Sequence, residues 1–92
     1  MWYVYILECR NKALYTGVTN NIELRLRDHQ TGQGGHYTNY NRPRRILYTE
    51  EFKDKLEAKN RERQIKRWSK SKKLALIKGD RAELINLSRS RD

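Results

Sequence analysis

Residues 2–8 constrain the fold more than any other part of the sequence. They read WYVYILE, a run of β-branched and aromatic residues that favours a β-strand. Side chains alternate between the two faces of a strand, so both faces of this one carry apolar or aromatic groups. The two faces hold Trp2, Val4 and Ile6, and Tyr3, Tyr5 and Leu7. The pattern therefore predicts a strand that is buried on both sides.

A second strand and a first helix are predicted after it. Residues 9–12 have the composition of a turn, and residues 13–18 form a strand that folds back on the first as an antiparallel hairpin. Asn20 or Asn21 then caps a helix that runs to Thr31 and stops at Gly32, because an Asn side chain accepts hydrogen bonds from the first turn.

A loop followed by a third strand is predicted in the middle of the chain. Residues 32–44 are rich in Gly, Asn and Tyr and contain a proline, so they are predicted to form an irregular loop. Residues 45–52, RILYTEEF, form the third strand.

A long helix is predicted over residues 55–69, where Asp54 followed by Glu57 resembles a capping box. A break at residues 69–73 separates it from a short helix that ends at Gly79. One stripe of the long helix is apolar and comprises Ala58, Ile65 and Trp68. The opposite face is basic and comprises Lys55, Lys59, Arg63, Lys66 and Arg67.

The charge balance indicates a polyanionic partner. The chain of 92 residues has 21 Lys and Arg against 11 Asp and Glu, a net charge of +10. Nucleic acid is favoured over a membrane, because no apolar run approaches the roughly 20 residues that span a bilayer. An inert basic surface is the alternative. One cysteine and the lack of a signal-peptide pattern at the start favour a cytoplasmic protein.

A cluster of polar side chains is predicted where the hairpin meets the first helix. If paired positions sum to 20, Tyr5 lies directly opposite Tyr15, although both rings are also simply good strand formers. Arg25 and His29, four residues apart, share one helix face. An arginine can hold a phosphate and a histidine can move protons near neutral pH.

Glu62 lies at the edge of the apolar stripe of the long helix, where a carboxylate needs a partner. Mg²⁺ is one candidate, because proteins commonly hold it through one or two carboxylates together with water and phosphate oxygens. An ion pair with Lys66, one turn later, is the alternative. Glu57 lies at the other edge of the stripe but already has a role as a cap.

The ordered set of residues resembles the GIY-YIG nuclease domain. Tyr3-Val4-Tyr5, a turn, and Tyr15-Thr16-Gly17 are followed by Arg25, by His29 and by a later helix that bears Glu62. Tyr3 stands where the family name has Gly, and Val4 where it has Ile. The likeness is greatest to small single-domain bacterial members, through the stretches at residues 16–20 and 66–70.

That resemblance implies an α+β fold with a three-stranded antiparallel sheet flanked by helices. It implies a nuclease-like domain over residues 1–78. The residues themselves predict that 79–92 form a short helical extension, capped by Asp80 with Glu83, and a basic tail. The resemblance also implies metal-dependent hydrolysis of phosphodiester bonds, with Mg²⁺ or Mn²⁺ bound by Glu62. Tyr5 or Tyr15 would take a proton from water. Arg25 would supply positive charge, with His29 assisting proton movement and Tyr37 contacting phosphate.

Two other functions compete with the nuclease. The first is a non-catalytic nucleic-acid-binding module, in which the basic helix grips phosphates through Lys59, Arg63, Lys66 and Arg67 and the tyrosines stack on bases. The second is a protein-docking adaptor that uses the same basic face. If the protein is a nuclease, DNA is favoured over RNA as its substrate. It would then act in repair or recombination, with a partner protein that supplies specificity.

Overall fold

The computed structural model describes residues 1–31, 43–80, 82, 83 and 85. Its elements are strand β1 (Trp2–Cys9), strand β2 (Leu14–Thr19), helix α1 (Ile22–Thr31), strand β3 (Pro43–Phe52), helix α2 (Lys55–Lys66) and helix α3 (Lys70–Lys78). The three strands form one antiparallel sheet, and the predicted α+β class is confirmed. β3 begins two residues inside the segment predicted as a loop, and residues 32–42 of that segment lie outside the described residues.

Strand β1 is the centre of the sheet, whose order is β2-β1-β3. One of its faces packs against α2, so that Val4 and Ile6 are fully buried with Ala58 and Ile65. The other face lies under α1, where Ile22 and Leu26 join Tyr5, Leu7 and Ile46 around a small void. The predicted burial of β1 on both sides is therefore confirmed.

The register of the hairpin differs from the predicted one. Tyr5 pairs with Gly17 and Tyr15 pairs with Leu7, so paired positions sum to 22 and Tyr5 is not directly opposite Tyr15. The shift follows from the turn, where the N–H of Cys9 donates to the carbonyl of Ala13 at 2.9 Å. The bond between Cys9 and Ala13 closes a longer turn between the two strands than the predicted register requires. A shift of two positions preserves the faces, because side chains alternate with a period of two.

The turn depends on local polar groups. Lys12 has a φ of 68°, a left-handed conformation that non-glycine residues adopt at a cost of roughly 1 kcal/mol. Two hydrogen bonds hold it there. The N–H of Lys12 donates to the carbonyl of Cys9 at 2.8 Å, and the N–H of Ala13 donates to Oδ1 of Asn11 at 2.9 Å.

The starts of two helices follow the predicted caps. Of the two asparagines considered for α1, Asn21 is the cap, and its Oδ1 accepts from the N–H of Leu24 at 3.1 Å. Asp54 caps α2 by accepting from the N–H of Leu56 at 3.0 Å. Both bonds satisfy donors that have no partner within the helix.

The boundary between α2 and α3 was predicted wrongly. α2 ends at Lys66 rather than Ser69, and α3 begins at Lys70, inside the predicted break. The reason is Ser69, whose Oγ accepts from the N–H of Lys72 at 3.2 Å and so starts a new helix. Gly79, with a φ of 71°, ends α3 as predicted.

Beyond α3, the N–H of Glu83 donates to Oδ1 of Asp80 at 3.0 Å, the contact expected of a further cap. The predicted tail from Ser88 lies outside the described residues. In the part of the chain that the structure covers, no helix has the length and apolar character needed to cross a membrane.

Candidate active site

Tyr5 and Tyr15 meet on the face of the sheet that α1 covers. Their ring centroids are 6.4 Å apart, and the planes are tilted by 33°. They are diagonal rather than direct neighbours, which still brings aromatic rings into contact. The ring of Tyr5 lies over Gly17, where an added Cβ would be 2.5 Å from Cζ of Tyr5. Glycine at this position therefore leaves room for the phenol.

Arg25 joins the two tyrosines from α1. Its Nε donates a hydrogen bond to Oη of Tyr5 at 3.4 Å, across 20 residues of sequence. That bond raises the pKa of the Arg25 guanidinium above its ordinary value, so the group keeps its charge at any physiological pH. The site thus contains a permanent cation that is partly buried. His29 follows one turn later in α1, and its side chain lies outside what the structure describes.

The Tyr5 phenol is held in its protonated form. The side chain is only 2% exposed, and this burial is the main cause that raises the pKa of Tyr5 to about 12. The negative charge of Glu62 and the neighbouring Tyr15 act in the same direction, and the hydrogen bond from Arg25 opposes them. Glu62 is therefore close enough to Tyr5 to influence its ionisation.

Glu62 reaches this region from α2, on the other side of the sheet. Its side chain is 22% exposed, and Oε2 lies 3.6 Å from Nζ of Lys66. The ion pair considered from the sequence is therefore present, although it is long. Glu57, the competing carboxylate, is exposed in the first turn of α2.

The oxygen ligands available at this site fit a hard divalent cation that is bound largely by water and substrate. Among the described residues no three His, Cys, Asp or Glu side chains cluster as a complete metal site. A single partly buried carboxylate with one weak ion pair suits Mg²⁺, which retains several waters and uses few protein ligands. Glu62 is the carboxylate with that environment.

A basic cleft lies beside Tyr15. It has a volume of about 250 Å³ and is lined by Leu14, Tyr15, Thr16, Lys66 and Lys73. Burial and the nearby charge of Lys66 lower the pKa of Lys73. Two cations are thus held together in a cleft whose lining contains no carboxylate, an arrangement that favours a bound anion. The buried Thr16 hydroxyl has no hydrogen-bond partner in the described part of the chain.

The basic residues predicted to bind nucleic acid divide between two surfaces. Lys66 lines the cleft beside Tyr15, whereas Lys59 precedes both Glu62 and Arg63 by one turn and so lies between the two surfaces. Arg63 and Arg67 line a separate groove. Tyr37, the remaining predicted contact, lies outside the described residues.

Sequence reasoning missed Lys72 and Lys73, which line these two clefts. Both fell within the predicted break at residues 69–73. Recognising Ser69 as a helix cap would have put both lysines in the first turn of α3, facing α2.

The fold and the cluster of Tyr5, Tyr15, Arg25 and Glu62 define the class of protein. Residues 1–75 match the GIY-YIG catalytic domain, so the chain belongs to the GIY-YIG family, whose members are generally endonucleases. Its similar relatives narrow the class to a small group within that family, the UPF0213 proteins.

Three of these relatives illustrate the similarity. A UPF0213 protein of Oceanobacillus iheyensis is 49% identical over 75 residues, which cover 82% of this chain and 87% of that protein. One from Clostridium perfringens is 47% identical over 77 residues, or 84% and 83% of the two chains. The solution NMR structure of a UPF0213 protein from Bacillus halodurans matches with a TM-score of 0.52 and 38% identity, covering 92% of this chain and 94% of that one.

Proposed function

We propose that this protein is a metal-dependent endonuclease that hydrolyses phosphodiester bonds of DNA, with the nuclease activity in residues 1–78. The observation that carries the proposal is the contact of Tyr5, Tyr15 and Arg25, which come from three different elements. Glu62 adds a carboxylate from a fourth element, near enough to affect the ionisation of Tyr5. A purely structural role would not require a buried phenol and a permanent cation beside Tyr15, which lines a basic cleft.

Tyr15 is the tyrosine that takes the proton of the attacking water, its oxygen accepting that proton as its own phenolic proton passes to solvent. Tyr5 is a poor candidate, because it is almost completely buried and its pKa of about 12 keeps it protonated. Tyr15 is partly exposed and lines the cleft with Lys66 and Lys73. Water and substrate can therefore reach its hydroxyl. Tyr5 acts instead as a positioning residue for Arg25, through the hydrogen bond to its Nε.

Arg25 stabilises the negative charge that develops on the phosphate during attack. Its guanidinium is partly buried, where an ionic interaction is stronger than in bulk water. One hydrogen bond to Tyr5 uses Nε and fixes the plane of the guanidinium. His29, one turn later, is proposed to assist proton movement to the leaving oxygen.

Glu62 would hold the divalent cation, Mg²⁺ or Mn²⁺, that GIY-YIG nucleases typically use. When bound, such an ion acts as a Lewis acid on the scissile phosphate and stabilises the leaving oxygen. Glu62 is suited to hold it because Lys66 binds the carboxylate only weakly, at 3.6 Å. Lys66 is then available to the substrate phosphate, together with Lys59 and Lys73.

DNA is the proposed substrate because the net charge of +10 favours a polyanion and the family acts on nucleic acid. A role in repair or recombination within the cytoplasm fits a small domain that works with a partner protein to obtain specificity. The contribution of Tyr37 to phosphate binding belongs to the same proposal.

The direct test is to incubate the protein with supercoiled plasmid, single-stranded DNA and branched DNA, with Mg²⁺ and with EDTA. We expect cleavage that EDTA abolishes and that Arg25→Gln lowers at least 100-fold, while Arg27→Gln on the exposed side of α1 is the charge-matched control. DNA binding without cleavage on every substrate would instead indicate the non-catalytic binding module.

A further inference from the structure

A second basic groove lies where the end of α2 meets the start of α3. It is lined by Asn60, Arg63, Gln64, Arg67, Trp68 and Lys72, and its volume is about 360 Å³. The residues around it include three cations, two amides and no carboxylate. It is open to solvent, since all of the lining residues except Trp68 and Lys72 are exposed.

Lys72 is the unusual member of this group. It is only 8% exposed and is the one charged residue that the described part of the chain buries. Its Nζ lies 4.5 Å from the centre of the Trp68 ring, and Cζ of Arg61 lies 5.2 Å from the same ring. Trp68 therefore partly compensates the buried cation, but a ring stabilises a cation less than a bound anion does.

The neighbouring arginines differ in how their charges are balanced. Arg61 is paired with Glu50, its Nε lying 3.1 Å from Oε1, and it donates to Oε1 of Gln64 at 2.8 Å. Arg63, Arg67 and Lys72 make no ion pair with a carboxylate anywhere in the described residues. Concentrating like charges in one groove is unfavourable unless an anion binds between them.

The groove is separate from the candidate active site. Arg67 follows Glu62 by five residues, which is about 140° around the helix axis at roughly 3.6 residues per turn. Glu62 and Lys66 occupy the flank near Tyr15, whereas Arg67 borders the groove with Trp68. The two clefts have no lining residue in common among the described residues, so α2 contributes to two distinct basic surfaces.

We infer that the groove of Arg63, Arg67 and Lys72 binds backbone phosphates of DNA outside the segment that is cut. The inference rests on the proposed function for the class of ligand, DNA. Arginine forks suit phosphate oxygens, and the Asn60 and Gln64 side chains can donate further hydrogen bonds. The groove thus lengthens the contact between the protein and its substrate and contributes affinity without entering the chemistry.

The test is binding of a fluorescein-labelled 20-base-pair duplex in EDTA, so that cleavage plays no part, at several salt concentrations. Each lost phosphate contact lowers the slope of log K against log salt by about 0.9, so Arg63→Gln with Arg67→Gln should lower it by about 2 and weaken binding about tenfold or more. Lys53→Gln is the control, because Lys53 precedes the other end of α2. It should change the affinity less than about twofold.

Lys72 is tested separately, because it is buried. Lys72→Met keeps the hydrocarbon stem and should flatten the salt slope by about 1, and Lys72→Arg should restore it. Circular dichroism and the midpoint of thermal unfolding show whether each variant folds. If the folded variant with Arg63→Gln and Arg67→Gln has the same salt slope as wild type, the inference is overturned. An acidic protein segment is then the occupant of the groove. If wild type does not cut DNA but the Arg63, Arg67 and Lys72 variants still have a flatter salt slope, the groove is a DNA-binding surface and the nuclease proposal is refuted.

Discussion

Tyr5 lies so close over Gly17 that the glycine has no room for a side chain. The two residues pair across β1 and β2, and the phenol extends along the sheet towards Tyr15. This arrangement connects the fold to the candidate site, because the position of the Tyr5 ring also determines where Arg25 forms its hydrogen bond.

Gly17→Ala is therefore expected to destabilise the protein by about 2–3 kcal/mol, as overpacking of a well-filled site does. Gly79→Ala is the control. Gly79 has a φ of 71° but no atom near the position of an added Cβ, so that change costs about 1 kcal/mol of backbone strain alone. Adding Tyr5→Ala should offset part of the Gly17→Ala penalty and none of the Gly79→Ala penalty. Urea unfolding of the single and double variants measures these free energies of unfolding. Strictly additive effects of the Gly17 and Tyr5 changes would show that the ring does not restrict Gly17.

Tyr5→Phe is expected to reduce the loss of stability at alkaline pH. The folded pKa of about 12 exceeds the unfolded value of about 10, so above pH 10 the unfolded state has lost a proton that the native state retains, and stability falls as pH rises. Between pH 8 and pH 11 the wild type should lose about 1.4 kcal/mol more than Tyr5→Phe. Burial and the hydrogen bond to Glu50 also raise the pKa of Tyr48 to about 12, but Tyr48 is present in both proteins and cancels. Equal losses from pH 8 to pH 11 would refute the raised pKa of Tyr5.

Tyr15→Phe is expected to lower the cleavage rate about 100-fold or more at saturating DNA, because it removes the proposed proton acceptor. The dissociation constant for DNA should stay within about twofold, since no charge is lost. Tyr3→Phe, a partly buried tyrosine of the same hairpin, is the matched control and should cut at the wild-type rate. Tyr5→Phe should keep the pH dependence of wild type even if its rate falls. A changed pH profile in Tyr5→Phe, with little effect of Tyr15→Phe, would transfer the role of base to Tyr5.

Lys73→Gln is expected to weaken DNA binding in EDTA about threefold to tenfold and to lower the salt slope by about 1. It should not lower the stability of the fold, because burial and Lys66 already make the Lys73 charge unfavourable in the free protein. Lys78→Gln, at the exposed end of the same helix, removes the same charge and should have a much smaller effect. Equal effects of the two changes on binding would mean that the cleft beside Tyr15 does not hold a phosphate.

Local sequence patterns predicted much of the fold because the responsible interactions are local. The caps at Asn21 and Asp54 and the left-handed Gly79 depend on residues within one turn of each helix. The burial of both faces of β1 followed from alternation alone. The hairpin register did not follow, because it is determined by a left-handed Lys12, a conformation that its residue type does not favour.

The candidate site was less predictable, because its contacts span the whole chain. Arg25 and Tyr5 are 20 residues apart, and nothing in their spacing indicates which tyrosine the arginine contacts. The division of the basic residues into two surfaces depends on where α2 ends and α3 begins. That boundary was misplaced because Ser69 favours both the end of one helix and the start of the next.

The most direct measurement of the central claim is the single-turnover rate of DNA cleavage by Glu62→Gln in Mg²⁺, beside Glu57→Gln. Both changes remove one negative charge from α2, but only Glu62 is partly buried near the tyrosines. We expect Glu62→Gln to cut at least 100-fold more slowly than wild type while it binds DNA as tightly in EDTA, and Glu57→Gln to cut normally. Cleavage by Glu62→Gln at the wild-type rate would contradict the assignment of Glu62 to the divalent cation.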